Sequence, residues 1–252
     1  MPFAHNGNVH IHYQVEGQGA PLILHHGYAS SAQTWRQAGY TEALREEYTL
    51  ILVEARGHGA SGKPHTMKDY ALRLRVGDVV AVLDALDMPR AHFFGYSMGG
   101  WIGLGMTKYA PGRLSSLIVG GSHPYGEDCD PFCEIEGHDP VAFLVALEAV
   151  IGERLSDKAK RLILANDLRA LAMAAHPQVC EEAVPLDVSV PCLLFAGEED
   201  PRHPLIQAAA GKMPQAIYFS LPGLGHLQAF MATGRVVPRV KAFLDRRVNG
   251  QP

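Results

Sequence analysis

His92-Phe93-Phe94-Gly95-Tyr96-Ser97-Met98-Gly99-Gly100 runs from a short apolar segment into a tight Gly-x-Ser-x-Gly turn, and then into the helical pattern Trp101–Tyr109. A strand, a sharp turn and a helix form the setting in which a serine is held in a strained conformation with its hydroxyl exposed. The flanking glycines let the strand and helix backbones approach closely. The five-residue motif is weak by itself, and its placement between a strand and a helix gives it weight. Ser97 is the candidate nucleophile.

The rest of the chain repeats the same alternation. Val9–Val15 alternates apolar and polar residues and ends in the turn Glu16-Gly17-Gln18-Gly19. Leu22-Ile23-Leu24, Leu50-Ile51-Leu52-Val53, Leu117-Ile118-Val119, Leu193-Leu194-Phe195 and Ile217-Tyr218-Phe219 are short continuous apolar runs. Such runs suit parallel strands covered on both faces. Tyr70–Leu86 carries Leu72, Val76, Val79, Val80, Leu83 and Leu86 at spacings of three and four. This predicts a helix with one apolar stripe on the sheet and Arg73, Arg75 and Asp84 pointing outward. Strands joined by helical crossovers predict a right-handed, doubly wound α/β sheet. The alternation breaks once, from Ser122 to Val190. There a Pro/Gly/Asp-rich lead-in precedes the apolar helix Val141–Ile151 and the amphipathic helix Lys158–Ala175. The apolar face of Phe143, Leu144 and Leu147 needs a partner, and a cap over a pocket mouth supplies one.

A serine hydroxyl needs a base to become nucleophilic. On an elbow of this kind the acid and then the histidine follow the serine in the chain. That order excludes His25, His26, His58 and His92. Among the later histidines His123, His138, His176 and His203 remain by order. Only His226, in Leu221-Pro222-Gly223-Leu224-Gly225-His226, combines a post-strand loop with an acid upstream. The acid is sought after Leu193–Phe195, where Glu198, Glu199 and Asp200 stand side by side. Asp200 is the choice, since the Gly197-x-x-Asp200 turn carries it past the strand edge and Pro201 stiffens the exit; Glu199 is the fallback. Its task is to hold the imidazole tautomer and stabilise the imidazolium. An oxyanion needs two converging N–H donors. Met98, just after the nucleophile, offers one, and Tyr28 in His25-His26-Gly27-Tyr28 offers the other.

At 252 residues, 47 % of them hydrophobic and 19 % charged, the chain can build one sizeable core without disulfides or metals. Its net charge of −4 speaks against nucleic acid or an anionic membrane as partner. Neither a secretory signal nor an apolar run long enough to span a bilayer is apparent, so a cytoplasmic protein is expected. Cys129 and Cys133, with His123 and His138 nearby, invite a metal site, but their spacing fits no usual zinc pattern and their surroundings read as a loop. Cys180 and Cys192 are isolated. No metal and no cofactor are called for.

Taken together, His26-Gly27, Arg56-Gly57-His58-Gly59-Ala60-Ser61, Gly95-Tyr96-Ser97-Met98-Gly99-Gly100, Gly197-x-x-Asp200 and Gly225-His226 resemble the α/β-hydrolase superfamily, from about Val9 to Phe243. The resemblance implies an eight-stranded, mostly parallel sheet formed by residues 1–121 and 191–252, with a helical cap, 122–190, inserted after the sixth strand. Members often carry Asp where this chain has Glu54, a structural position. The expected activity is cleavage of a small carboxylic ester or lactone through an acyl-enzyme on Ser97. Related capped hydrolases cleave carbon–carbon bonds of diketones or perform perhydrolysis, and some relatives are ligand-sensing receptors, because fold alone does not fix function.

Overall fold

The computed structural model describes residues 2–126, 132, 135, 139–176 and 182–248. Eight strands form one sheet: β1 (Phe3–Asn6), β2 (Val9–Gly17), β3 (Ala20–His25), β4 (Tyr48–Val53), β5 (Ala91–Tyr96), β6 (Leu114–Gly120), β7 (Cys192–Gly197) and β8 (Ala216–Leu221). Their order is β1-β2-β4-β3-β5-β6-β7-β8. β1 and β2 pair antiparallel, as do β2 and β4, and the remaining pairs are parallel. Six of these strands coincide with the apolar runs in the sequence, and β2 with the alternating stretch Val9–Val15. β1 does not, because its four residues bury only Ala4. It is fixed by a two-residue Gly7-Asn8 hairpin in which Gly7 has φ +59°, the left-handed geometry such turns demand.

Successive residues of the central strands point to opposite faces, and two apolar cores result. Ile23, Ile51, Phe93, Leu117 and Leu194 face helices α3 (Leu72–Ala85) and α4 (Met98–Tyr109). Leu22, Leu24, Leu50, Leu52, Phe94 and Phe195 face the other way. There they meet Trp35 of α1 (Gln33–Gln37), Tyr40 and Leu44 of α2 (Tyr40–Leu44), and Val236, Val240 and Leu244 of the long C-terminal helix. Each fully buried Leu, Ile or Phe stabilises the fold by roughly 1.5–3 kcal/mol. This two-sided burial explains why the strands read as continuous apolar runs.

Between β6 and β7 the described residues form three helices, α5 (Pro140–Ile151), α6 (Asp157–Leu164) and α7 (Leu168–Ala174), and no strand. Phe143, Leu147, Ile151, Leu155, Ile163 and Leu171 make a third, smaller core. The amphipathic stretch 158–175, expected as one helix, is broken in two. Asp167 ends the first by capping the second, its carboxylate accepting from Ala170 N at 3.0 Å. After β7 come α8 (His203–Ala210), α9 (His226–Met231) and α10 (Thr233–Val248).

One helix face differs from expectation. Arg73 and Asp84 of α3 are exposed, but Arg75 is buried at 2 % exposure. Its Nε donates to Tyr70 O (2.7 Å) and its Nη2 to Ala174 O (2.5 Å), while Nη1 lies 3.2 Å from Met98 Sδ. A guanidinium with such acceptors tolerates burial, and it ties α3 to α7 and to the start of α4. A second buried cation, Arg56, meets Asp78 in a two-pronged pair at 2.6 and 2.5 Å. Asn6 adds a donor to the same carboxylate at 2.9 Å, which fastens β1. Removing one partner strands the other charge in the interior. Asp78→Ala should therefore cost about 3–5 kcal/mol. For a chain of this size that lowers the melting temperature by roughly 6–15 °C, measurable by calorimetry. A change below about 2 °C would contradict the claim.

Candidate active site

The parallel part of the sheet changes direction at β3 and β5, which are neighbours although β4 intervenes in sequence. Ligands of open α/β sheets bind outside the carboxyl ends of the strands at such a switch point. The loop after β3 and the turn after β5 meet there. Ser97, between β5 and α4, has φ 53° and ψ −121°, outside the regions an ordinary residue occupies. Such a conformation costs on the order of 1–3 kcal/mol and persists because its surroundings impose it. The turn is held by Ser97 N donating to Gly120 O at 2.8 Å. A side chain on Gly95 would collide with the Gly99 backbone, and one on Gly99 with His25 O. Both glycines are therefore needed for the close approach of strand and helix. Met98 is the first residue of α4, where a backbone N–H has no partner within the helix.

The opposing loop, His25–Ala29, is organised by two buried imidazoles. His26 Nε2 accepts from Ala55 N at 3.1 Å, so its proton sits on Nδ1 and is donated to Gly27 O at 2.8 Å. The Tyr28 N–H of the same trans peptide is thereby turned to the opposite side. His58 Nε2 accepts from Ala29 N at 3.1 Å, and its Nδ1 donates to Arg56 O at 3.0 Å. This bond helps hold Ala29 at φ 55°, a left-handed conformation unusual for alanine. Burial first, and mutual repulsion next, keep His58 well below its ordinary pKa; burial lowers His26 as well. Both act as neutral braces. Gly27 lies against the serine, since a Cβ on it would stand 3.4 Å from Ser97 Cβ. The Tyr28 hydroxyl reaches away to Leu171 O (2.8 Å), joining this loop to α7.

On the far side of the switch point, Asp200 and His226 meet. His226 Nδ1 lies 2.6 Å from Asp200 Oδ2, and both side chains are almost completely buried. The other oxygen, Oδ1, accepts from Arg202 N at 3.0 Å. Burial acts to raise the Asp200 pKa, but the bonds to His226 and Arg202 outweigh it and hold the carboxyl below its ordinary value. Glu198 and Glu199 are exposed, and Glu198 is engaged by Ser220 Oγ at 2.6 Å. The loops carrying Asp200 and His226 are joined by Glu199 N donating to Leu224 O at 3.0 Å. Gly197 is required at that crossing, because any Cβ there would strike Leu224 O.

Tyr96 completes the frame: its hydroxyl donates to His226 O at 2.6 Å, and its ring lies 5.3 Å from the imidazole. Nothing in the Gly-x-Ser-x-Gly spacing announces this role. Gly121, with φ +61°, leaves room for the imidazole, since a Cβ on it would stand 2.9 Å from His226 Cε1.

Ser97, His226, Tyr28 and Met98 all line one cavity of about 610 Å³. Asp200 stands behind the histidine. No hydrogen bond joins the Ser97 hydroxyl to the imidazole among the described residues; such bonds are often loose before substrate binds. The cavity wall is largely apolar, with Leu147, Val150, Ile151, Leu155 and Ile163 on one side. Gln33, Thr34 and Gln37 add polar groups. The other histidines considered stand apart from it: His123 is buried beside Tyr125, and His203 packs near Tyr218. Cys129, Cys133, Cys180 and His138 lie outside the described residues. Among the described residues no cluster of three or more His, Cys, Asp or Glu could hold a metal ion. No helix among them is long and apolar enough to cross a membrane. Glu54 uses its longer side chain to accept from Ala60 N at 2.7 Å and to meet His12 Nδ1 at 3.0 Å, and it contributes to the cavity lining as well.

Comparison with known proteins agrees with this architecture. The sequence profile of the alpha/beta hydrolase family matches residues 22–239. 3-Oxoadipate enol-lactonase 2 of Acinetobacter baylyi is 27 % identical over 210 residues, covering 77 % of each chain. The solved structure of Est816, described as an N-acyl homoserine lactone degrading enzyme, is 25 % identical with a TM-score of 0.75, covering 96 % of this chain and all of that one. The enol-lactonase from Burkholderia xenovorans LB400 shares the fold at 19 % identity and a TM-score of 0.82, covering 97 % and 100 %. Other curated relatives, from Azorhizobium caulinodans and Pseudomonas putida, are 34 % and 29 % identical. Those alignments take in 47 % and 93 % of this chain, which spans only 43 % and 66 % of their lengths. The chain belongs to the alpha/beta hydrolase family and counts lactonases among its relatives.

Proposed function

We propose that this protein hydrolyses a small carboxylic ester or lactone by two-step acyl transfer on Ser97, with His226 as base and Asp200 as its orienting acid. The observation that carries this reading is the 2.6 Å bond from His226 Nδ1 to Asp200, which leaves Nε2 for the cavity onto which Ser97 also opens. Ser97 Oγ attacks the carbonyl as His226 takes its proton, and the N–H groups of Met98 and Tyr28 hold the oxyanion. His226 then gives the proton to the leaving alkoxide. Water repeats the cycle on the acyl-enzyme and frees the acid. Asp200 stays ionised throughout, as its lowered pKa favours. Residues 122–190 act as the cap on a core of 1–121 and 191–252, because α5 and α6 supply an apolar wall of the cavity. The modest volume and the lactonase-type relatives favour a short acyl or lactone group over a long lipid.

The test is a panel of short p-nitrophenyl esters, lactones and vinylogous diketones, together with an organophosphonate whose adduct is mapped by mass spectrometry. Ester or lactone turnover with the adduct on Ser97 is expected. Turnover of the diketones alone, or an adduct elsewhere, would overturn the assignment.

A further inference from the structure

The turn that ends α5 sits on both loops that carry Asp200 and His226. Gly152 closes the helix at φ +71° and lies so close to the residue after Asp200 that a Cβ on it would stand 2.6 Å from Pro201 Cγ. The next residue, Glu153, sends its carboxylate across to α9, where Oε1 accepts from Leu227 N at 2.7 Å. Leu227 directly follows His226. Gly225, directly before it, makes room for this approach, since a Cβ there would lie 2.5 Å from the Glu153 carboxylate. The histidine backbone is thus held at its carbonyl by Tyr96 and at the following amide by Glu153.

The turn is itself well anchored. Glu148 accepts from Leu155 N at 2.9 Å, from Arg154 at 2.7 Å and from Lys160 at 3.1 Å, which brackets residues 152–155 from within the same segment. Those bonds, the backbone one first, hold the Glu148 carboxyl down at about 2. The neighbours of Glu153 in sequence, Val150, Ile151 and Leu155, line the cavity. One short turn therefore touches the cavity wall on its inner side and the histidine loop on its outer side. Leu227 N belongs to the first turn of α9, where no backbone acceptor within the helix is available. A carboxylate there both satisfies the donor and fixes the helix end that carries the imidazole.

We infer that Glu153 is a positioning residue for His226, supplied by the segment between β6 and β7, and that docking of this turn is required for full turnover. The inference rests on His226 acting as the base, as proposed above. It assigns to Glu153 no contact with the reacting atoms; the effect passes through the Leu227 amide.

The experiment compares wild-type protein with Glu153→Ala, Glu153→Gln and Ser97→Ala in three measurements: kcat and KM on p-nitrophenyl butyrate, the rate of phosphonate labelling, and the melting temperature. Glu153→Ala should lower kcat by about 10- to 100-fold, the scale of a small misplacement of a catalytic group. KM should stay within about threefold, and labelling should slow in parallel. Glu153→Gln keeps an acceptor carbonyl at the same reach and should restore kcat to within about threefold of wild type. Should Glu153→Ala not fold, Glu153→Asp, which withdraws the acceptor by one methylene, takes its place with the same expected split. An unchanged kcat in the Ala variant overturns the inference. So does a loss confined to KM, or a Gln variant as impaired as Ala. If wild-type protein labels on Ser97 and Ser97→Ala is inert while Glu153→Ala matches wild type, only this inference falls. If wild-type protein does not label on Ser97, the assignment of the base falls with it.

Discussion

Ser97→Ala is expected to lower ester hydrolysis by about 10⁶-fold in kcat, the loss seen when a serine nucleophile is removed from an intact triad, while the protein stays folded. The expected residual rate is about 10³-fold above water, because Met98, Tyr28 and the cavity would still bind and polarise the carbonyl. The physical reason lies in the elbow. Its φ of 53° and its bond to Gly120 O are backbone features, so alanine keeps the turn and removes only the hydroxyl. The melting temperature should accordingly stay close to that of the wild type, since the strained turn and its backbone bond are kept. Burst kinetics, intact-protein mass after phosphonate treatment and steady-state turnover check this together. A variant that still turns over within about tenfold of wild type would place the nucleophile elsewhere.

The residues united at the site were legible in the sequence because each stands where a strand ends. Ser97 follows β5, Tyr28 follows β3, Asp200 follows β7, and His226 follows the loop after β8. Strand ends are marked by an apolar run stopping at glycine or proline, which is local information. The order of acid and histidine then narrows many candidates to one pair. The frame behind them was not legible, because its contacts join residues far apart in the chain. Tyr96 reaches His226 across 130 residues, and Glu153 reaches Leu227 across 74. No periodicity encodes such a meeting. Gly152 ends α5 in the left-handed geometry of a helix stop, and what it stops against, Pro201, lies far along the chain.

Arg75 shows a different limit. The stripe on α3 is correct for its apolar members, yet a charged residue at a flanking position was assigned to solvent by its type alone. It is buried because Tyr70 O and Ala174 O, from two other segments, present carbonyls to it. His26 and His58 follow the same logic in neutral form. Excluding them as bases by chain order left their work unseen. As acceptors for Ala55 N and Ala29 N they shape the loop that carries Tyr28.

Those buried imidazoles make stability fall in acid, starting above the range in which Asp200 and Glu148 are protonated. Burial first, then the neighbouring His26, lowers the His25 pKa from 6.5 to about 3. His26 and His58 are lowered as well, each chiefly by burial. Between the two values the unfolded chain binds a proton at each site and the folded chain does not. Stability therefore rises with pH across this window and is lost as pH falls below 6.5. For His25 alone the gap between 6.5 and about 3 amounts to roughly 5 kcal/mol at 1.36 kcal/mol per pH unit, about half of a typical domain's stability. Asp200 and Glu148, both lowered, begin to withdraw their contributions only below their ordinary values of 3.8 and 4.5. The interval from pH 6.5 to 4.5 thus lies above the range in which these two carboxylates are protonated. Urea unfolding midpoints measured at pH 7.0, 6.0 and 5.0 should drop progressively. His25→Phe, a ring that can keep the stacking on Phe93 without titrating, should flatten the slope by up to about 1.4 kcal/mol per pH unit, the share of the one proton His25 takes up on unfolding. A midpoint that stays constant from pH 7.0 to 5.0 would mean that the interior accepts these charges, and the neutral bracing of the Gly27–Ala29 loop would have to be abandoned.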